Sequence, residues 1–135
     1  MDLVYHYTKG FEHDLAQFSS AEKDEMAVDM NSYGQLLLTN PPQFYQHAHQ
    51  PYPIKLINGY ESSLYTLPVG NIDVIATVDE DPIFDQLIVT LMRAVRGSEV
   101  KQAYSSVAES LYQNWLVKPT RLEKVWSTRL ALQKN

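Results

Sequence analysis

Residues 61–79 limit most narrowly what this chain can fold into, because two strand-like runs flank a tight turn there. In the stretch YTLPVGNIDV, residues 65–74, apolar and β-branched residues lie on both sides of Gly70-Asn71. This pair of residue types is typical of a two-residue hairpin loop, which needs left-handed backbone. We therefore predict antiparallel strands at about residues 61–68 and 72–79. Pro68 lacks an N–H for the ladder, which predicts a strand at the edge of the sheet.

A third strand is predicted over residues 86–95, joined to the second by the turn DEDPIFD. A helix is the alternative here, because Asp81-Pro82 can begin one and the spacing from Ile83 to Val95 fits it. The β-branched cluster 88–90 favours the strand. A helix is then expected from about Ser98 to Trp115, with an apolar stripe along one side.

The segment before residue 61 predicts a strand and two helices. LVYHYT, residues 3–8, alternates as a strand does, and the spacing of Phe11, Leu15 and Phe18 is helical. Ser20 is expected to cap a second helix that ends near Gly34 or Leu38. Residues 39–53 hold four of the seven prolines and are predicted to form a loop.

These elements predict an α+β fold in one domain covering residues 1–135. The expected architecture is a small twisted antiparallel sheet, with two N-terminal helices and a C-terminal helix packed on it. Residues 116–135 are expected to form a C-terminal extension of that domain, with an apolar stripe at helical spacing.

Composition excludes several classes of chemistry. The chain has no cysteine, so disulfides, thiolate zinc sites and cysteine nucleophiles are ruled out. It has no phosphate-binding glycine loop and no serine-elbow motif. Neither a secretory leader nor a membrane span is recognisable in the sequence, so we expect a cytoplasmic protein without membrane association.

The net charge of −5 is unevenly distributed along the chain. Residues 1–92 contain three basic and thirteen acidic residues, whereas residues 93–135 contain eight basic and three acidic ones. An anionic partner should therefore meet the C-terminal third first.

Three segments resemble the RelE/ParE superfamily of small bacterial toxins, within residues 3–112. They are KGFEHDLAQFSSAEKDEM, KLINGYESSLYTLPVGNIDVIATVDEDP and MRAVRGSEVKQAY. The resemblance implies the toxin of a toxin–antitoxin pair, which either cleaves messenger RNA on the ribosome or poisons gyrase. Its implied partners are an antitoxin, the ribosome and messenger RNA.

The resemblance also implies candidate catalytic residues for a metal-independent endoribonuclease that needs no cofactor. Cleavage requires a base for the ribose 2′-hydroxyl, cations beside the phosphate and an acid for the leaving oxygen. The candidates are Lys55, Arg93, Arg96, Tyr104 and His47. The family commonly has arginines at three positions where this chain has Thr66, Pro68 and Asp73, none of which can neutralise a phosphate.

Each of these candidate residues also has a structural interpretation that the sequence leaves open. Tyr104 lies on the apolar stripe of its helix, and Lys55 can be an ordinary loop lysine. Arg93 can pair with a carboxylate of the acidic turn at Asp79, Glu80 or Asp85. His47 and His49 can be an acid–base pair, two metal ligands or plain loop histidines.

The alternative function is a non-catalytic module of this fold that binds a protein such as an antitoxin or gyrase. A homodimer through the C-terminal helices is a further possibility. The pI of about 5.2 also weighs against a ribosome-binding nuclease, because such binding depends largely on contacts to phosphates. Convergence of Lys55, Arg93 and Arg96 on one concavity would favour the enzyme, and pairing with carboxylates would favour the alternative.

Overall fold

The computed structural model describes residues 1–59 and 61–113, which form a four-stranded sheet with helices on both faces. The helices and strands follow one another along the chain as β1 (Asp2–Tyr7), α1 (Lys9–Leu15), α2 (Ser20–Thr39), α3 (Pro41–His47), β2 (Leu64–Val69), β3 (Ile72–Asp81), β4 (Gln86–Arg96) and α4 (Val100–Tyr112). Short 3-10 turns lie at Ile57–Gly59 and Gly97–Glu99.

The predicted α+β class and the two antiparallel hairpins are confirmed. The strand order is β1-β4-β3-β2, with β2, β3 and β4 antiparallel. Residues 86–96 form a strand rather than a helix, in agreement with the preferred prediction. β2 is an edge strand, as Pro68 indicated. The sheet is mixed rather than wholly antiparallel, because β1 pairs parallel with β4.

The helices divide between the two faces of the sheet and so create two apolar clusters. The larger cluster lies under α1, α2 and α3 and includes Phe11, Met26 and Phe44. The smaller lies under α4 and is centred on Tyr104 and Ile75. Alternate residues of a strand point to opposite faces, so the strands supply both clusters at once.

The prediction of a loop over residues 39–53 is wrong for its first half, because Pro41–His47 is the helix α3. The two prolines occupy its first positions, where a missing N–H costs no intrahelical bond. The Asn40 side chain caps it by accepting from the amide of Gln43. Prolines that end α2 therefore also begin the next helix.

The start of α2 lies one residue from the predicted position. Ser19, rather than Ser20, is the N-cap, and it forms a capping box with Glu22. The helix continues to Thr39, one residue beyond the predicted limit.

Gly34 allows α2 to lie directly on β1. A Cβ atom at this buried position would come within 3.0 Å of the Tyr5 hydroxyl and of Leu3 Cδ2. The Tyr5 hydroxyl also donates to the carbonyl of Met30, with an O–O distance of 2.7 Å. The glycine is therefore required by the close approach of helix and strand.

Replacing Gly34 by alanine should destabilise the protein, although the same change inside an exposed helix usually stabilises it by about 1 kcal/mol. The new methyl group must displace Tyr5 or Leu3, which costs about 1 to 3 kcal/mol. Urea unfolding would measure the change. Gly97→Ala is the control, because a Cβ there makes only an ordinary contact with Asp73. Equal stability of both variants would contradict the prediction.

Within the described ranges, no helix combines the length and apolar character needed to cross a bilayer. The predicted extension at residues 116–135, and Trp115 with it, lies outside the residues that the structure describes.

Candidate functional site

Arg93 and Arg96 lie together in a polar pocket where the end of β4 meets α1. The pocket has a volume of about 290 Å³. Its other lining residues are His13, Asp14, Gln17, Phe18, Ala94, Val95 and Glu99. We call this concavity the arginine pocket. It brings together two of the five residues that the sequence marked as catalytic candidates.

A β-bulge in β4 places Arg93 against α1. The register with β3 shifts at this point and leaves Met92 without a partner. An inserted residue bends a strand and changes the direction of nearby side chains. Leu91 and Ala94, on either side of the bulge, both pack in the cluster under α1–α3. Arg93 lies next to the unpaired residue, and its side chain reaches Asp14.

Asp14 holds Arg93 in a two-point ion pair. Arg93 Nε donates to Asp14 Oδ2 at 2.7 Å, and Nη2 donates to Oδ1 at 3.1 Å. The carboxylate also accepts from the backbone amide of Ala94 at 2.8 Å, and Asp14 is only 6% exposed. The hydrogen bond to Asp14 raises the pKa of Arg93. The guanidinium therefore stays charged, and a buried carboxylate neutralises it.

Arg96 is paired as well, with Glu22 in the first turn of α2. Nη1 donates to Glu22 Oε2 at 2.8 Å, and the guanidinium carbon lies 5.1 Å from the centre of the Phe18 ring. A cation over an aromatic face gains a further attraction. This pair is more exposed than the first, so solvent and salt weaken it more.

The pH dependence of Glu22 follows from these contacts. The Arg96 hydrogen bond, followed by the bond from the Ser19 amide, lowers the pKa of Glu22 from 4.5 to about 2. A carboxyl with a lowered folded-state pKa stabilises the fold fully above its unfolded pKa, and this contribution is lost as the pH falls toward 2. We expect Arg96→Gln to raise the pKa of Glu22, measured by carbon NMR of the side-chain carboxyl. Lys9→Gln should leave it unchanged; a wild-type pKa near 4.5 would contradict this assignment.

Tyr104 lies on the opposite face of the sheet from the arginine pocket. It is 0% exposed, and its hydroxyl donates to the carbonyl of Leu64 at 2.8 Å. The Tyr52 ring packs against it edge to face, with 5.3 Å between ring centres. Burial raises the pKa of Tyr104 well above its ordinary value. The hydroxyl is therefore a structural donor in the smaller cluster.

Lys55 and His47 each lie at a further place. Lys55 is exposed and lines a shallow concavity of about 340 Å³ beside α4, together with Tyr52 and Glu109. His47 is exposed in the last turn of α3, with its ring 6.3 Å from that of Tyr33. Of the three cations considered from the sequence, only the two arginines share one concavity, and each of these is paired with a carboxylate.

The acidic partners that define the arginine pocket were not predicted from the sequence. The acidic turn at Asp79, Glu80 and Asp85 was considered as a partner of Arg93, but it lies at the other end of β4. Asp14 does leave a trace in the sequence, since it falls on the helical stripe that includes Phe11 and Phe18. A carboxylate on an apolar stripe is typical of a buried ion pair.

Two of the positions where RelE/ParE toxins commonly have arginines have structural roles in this chain. Thr66 is buried in β2 and exchanges backbone hydrogen bonds with His49 at 2.9 and 2.7 Å. Asp73 lies half-buried on β3 opposite Pro68, and desolvation raises its pKa. Neither position therefore contributes a positive charge to this sheet.

In residues 1–59 and 61–113, no three histidine, aspartate or glutamate side chains are grouped so as to hold a metal ion.

The chain was compared with protein-family models, curated proteins and solved structures, and none of the three comparisons found a match.

Proposed function

We propose that this chain is a non-catalytic protein of RelE/ParE-like architecture that works by binding another protein. The observation that supports it best is the pairing in the arginine pocket. A nuclease needs cations free to approach the scissile phosphate, whereas Arg93 is held by Asp14 and Arg96 by Glu22. Breaking the first pair to admit a phosphate would leave a buried carboxylate without its partner.

The order of elements supports the architectural part of this proposal. A strand, two helices, three antiparallel strands and a helix follow one another as the resemblance implies, with α3 as an additional element. The proposed partner is a protein, with an antitoxin as the first candidate. The acidic balance of residues 1–92 favours a partner with a basic contact surface.

An endoribonuclease is the second candidate, because one observation favours it. Arg93 and Arg96 share a concavity with His13, so two cations and a titratable ring lie together. This candidate depends on Arg96. Its exposed ion pair with Glu22 opens to admit a phosphate more easily than the buried pair of Arg93 with Asp14.

Expression in a heterologous bacterium distinguishes the two candidates, with growth and primer extension on abundant messages followed in the same cells. The proposal predicts intact messages, whether or not growth slows. Arrest with new cleavage sites that vanish in Arg96→Ala but persist in Lys9→Ala would overturn it. Lys9 is the matched control because it is an exposed cation outside the residues that line the arginine pocket.

A further inference from the structure

The two edges of the sheet are protected to different extents. On the β2 edge, Pro68 removes one backbone donor, and His49 already pairs with Thr66 as an isolated bridge. Proline and covering segments are the usual means by which proteins block an edge strand. β2 is therefore poorly suited to accept another strand.

The outer edge of β1 has none of this protection. β1 contains no proline or lysine, and its pairing with β4 is continuous from Asp2 to Tyr7. In the part of the chain that the structure describes, no strand pairs with its outer side. An open apolar edge of this length is a template for pairing with another chain.

The backbone of β1 determines which residues are available for that pairing. The amides of Asp2 and Thr8 donate inward, to the carbonyls of Asp85 and Leu91 on the β4 side. Alternate residues of a strand direct their backbone groups to opposite sides. The residues between them, Leu3, Tyr5 and Tyr7, therefore direct their N–H and C=O groups outward.

A second copy of β1, antiparallel and centred on Val4, complements this edge. Leu3 then pairs with Tyr5 of the second copy through outward backbone groups, twice by symmetry. Asp2 lies opposite His6, so a carboxylate meets an imidazole on one face. Met1 lies opposite Tyr7 on the other face. These last two are exposed apolar side chains in the single chain, at 57% and 60%.

Shifting the register by two residues loses these matches. A dimer centred on Tyr5 has the same backbone bonding pattern, but it sets Val4 opposite His6 and leaves the Asp2 carboxylate without an imidazole opposite it. The side chains therefore select the arrangement centred on Val4, because backbone hydrogen bonds alone do not distinguish registers that differ by two.

We propose that the protein forms a twofold homodimer in which two β1 strands pair antiparallel about Val4. The two four-stranded sheets thereby become a single continuous sheet with eight strands. The interface is isologous, as closed dimers require. It differs from a dimer through the C-terminal helices, and it is independent of the partner named in the proposed function.

Disulfide trapping tests the register directly, because the chain contains no cysteine of its own. Val4→Cys places two sulfurs next to each other across the axis, in a non-hydrogen-bonded pair where side chains approach most closely. Mild oxidation should give a species of twice the 15.5 kDa chain mass on a non-reducing gel. Lys9→Cys is the matched control, because Lys9 is exposed and lies outside β1. Its two sulfurs would lie beyond opposite ends of the paired strands, so it should not crosslink although it is more exposed than Val4.

Equal crosslinking of both variants would indicate random collision and overturn the proposal, as would no crosslinking of Val4→Cys. Sedimentation equilibrium supplies a second measurement without cysteines. Wild type should be dimeric at about 100 µM, a concentration suited to a small interface. His6→Glu should be monomeric because it faces Asp2, and Asp2→Lys with His6→Glu should restore the dimer. A monomeric wild type would overturn the proposal.

Discussion

Replacing Asp14 by alanine is expected to lower the free energy of unfolding by about 3 kcal/mol, the largest effect of any single charged residue in the described structure. Loss of one partner from a buried ion pair typically costs about 3 to 5 kcal/mol. The lower end applies because the Arg93 side chain is 36% exposed and can turn to water. The Ala94 amide loses its acceptor in the same variant, which adds to the cost. Urea unfolding followed by circular dichroism measures the change.

The control for Asp14 is the more exposed pair in the same pocket. Glu22→Gln removes the charge facing Arg96, but glutamine still completes the capping box with Ser19. We expect a clearly smaller loss of stability than for Asp14→Ala, because solvent screens an exposed pair. If Asp14→Ala costs no more than Glu22→Gln, the buried pair contributes no special stability, and Arg93 is as free to bind a phosphate as Arg96 is.

Replacing Tyr104 by alanine is expected to cost about 4 kcal/mol, since removal of a fully buried aromatic ring leaves a cavity in the smaller cluster. Tyr104→Phe keeps the ring and removes only the hydroxyl, which should cost about 1 kcal/mol. The loss is small because the Leu64 carbonyl still accepts from the side-chain amide of Gln50, at 3.2 Å. Thermal and urea unfolding of both variants provide the measurement.

The two Tyr104 variants also separate a structural from a catalytic role. A catalytic acid would make Tyr104→Phe as inactive as Tyr104→Ala while leaving the protein stable. A structural ring makes Tyr104→Ala far less stable than Tyr104→Phe, with any activity following the folded fraction. Equal stability of the two variants would contradict the structural role.

The sequence alone predicted those elements that local patterns encode. Gly70-Asn71 identified the first hairpin, and the β-branched run at 88–90 correctly favoured a strand, since both features act over a few residues. The helix α3 was missed for a related reason. Proline is excluded from the interior of a helix but is tolerated in its first turn. The loop was predicted because Pro41 and Pro42 were read only as residues that end a helix.

The arginine pocket depends on contacts that no local pattern encodes. Asp14 and Arg93 are 79 positions apart, and a bulge sets the direction in which Arg93 points. Alternation gives no single answer at this bulge, because counting from Leu91 places Arg93 on the face of α1 and counting from Ala94 places it on the opposite face. The sequence therefore identified both arginines as notable but could not show that each has a carboxylate partner.

The parallel pairing of β1 with β4 also has a consequence for the order of folding. The Thr8 hydroxyl binds the carbonyl of Met92, 84 positions further along the chain. Local elements such as α2 and the β2–β3 hairpin can form early, whereas β1 has no strand to join until β4 is available. Contacts of such long range slow folding, because the chain must close a large loop before they form. β1 is thus among the last strands to find its place in the sheet, although it precedes the other three in the sequence.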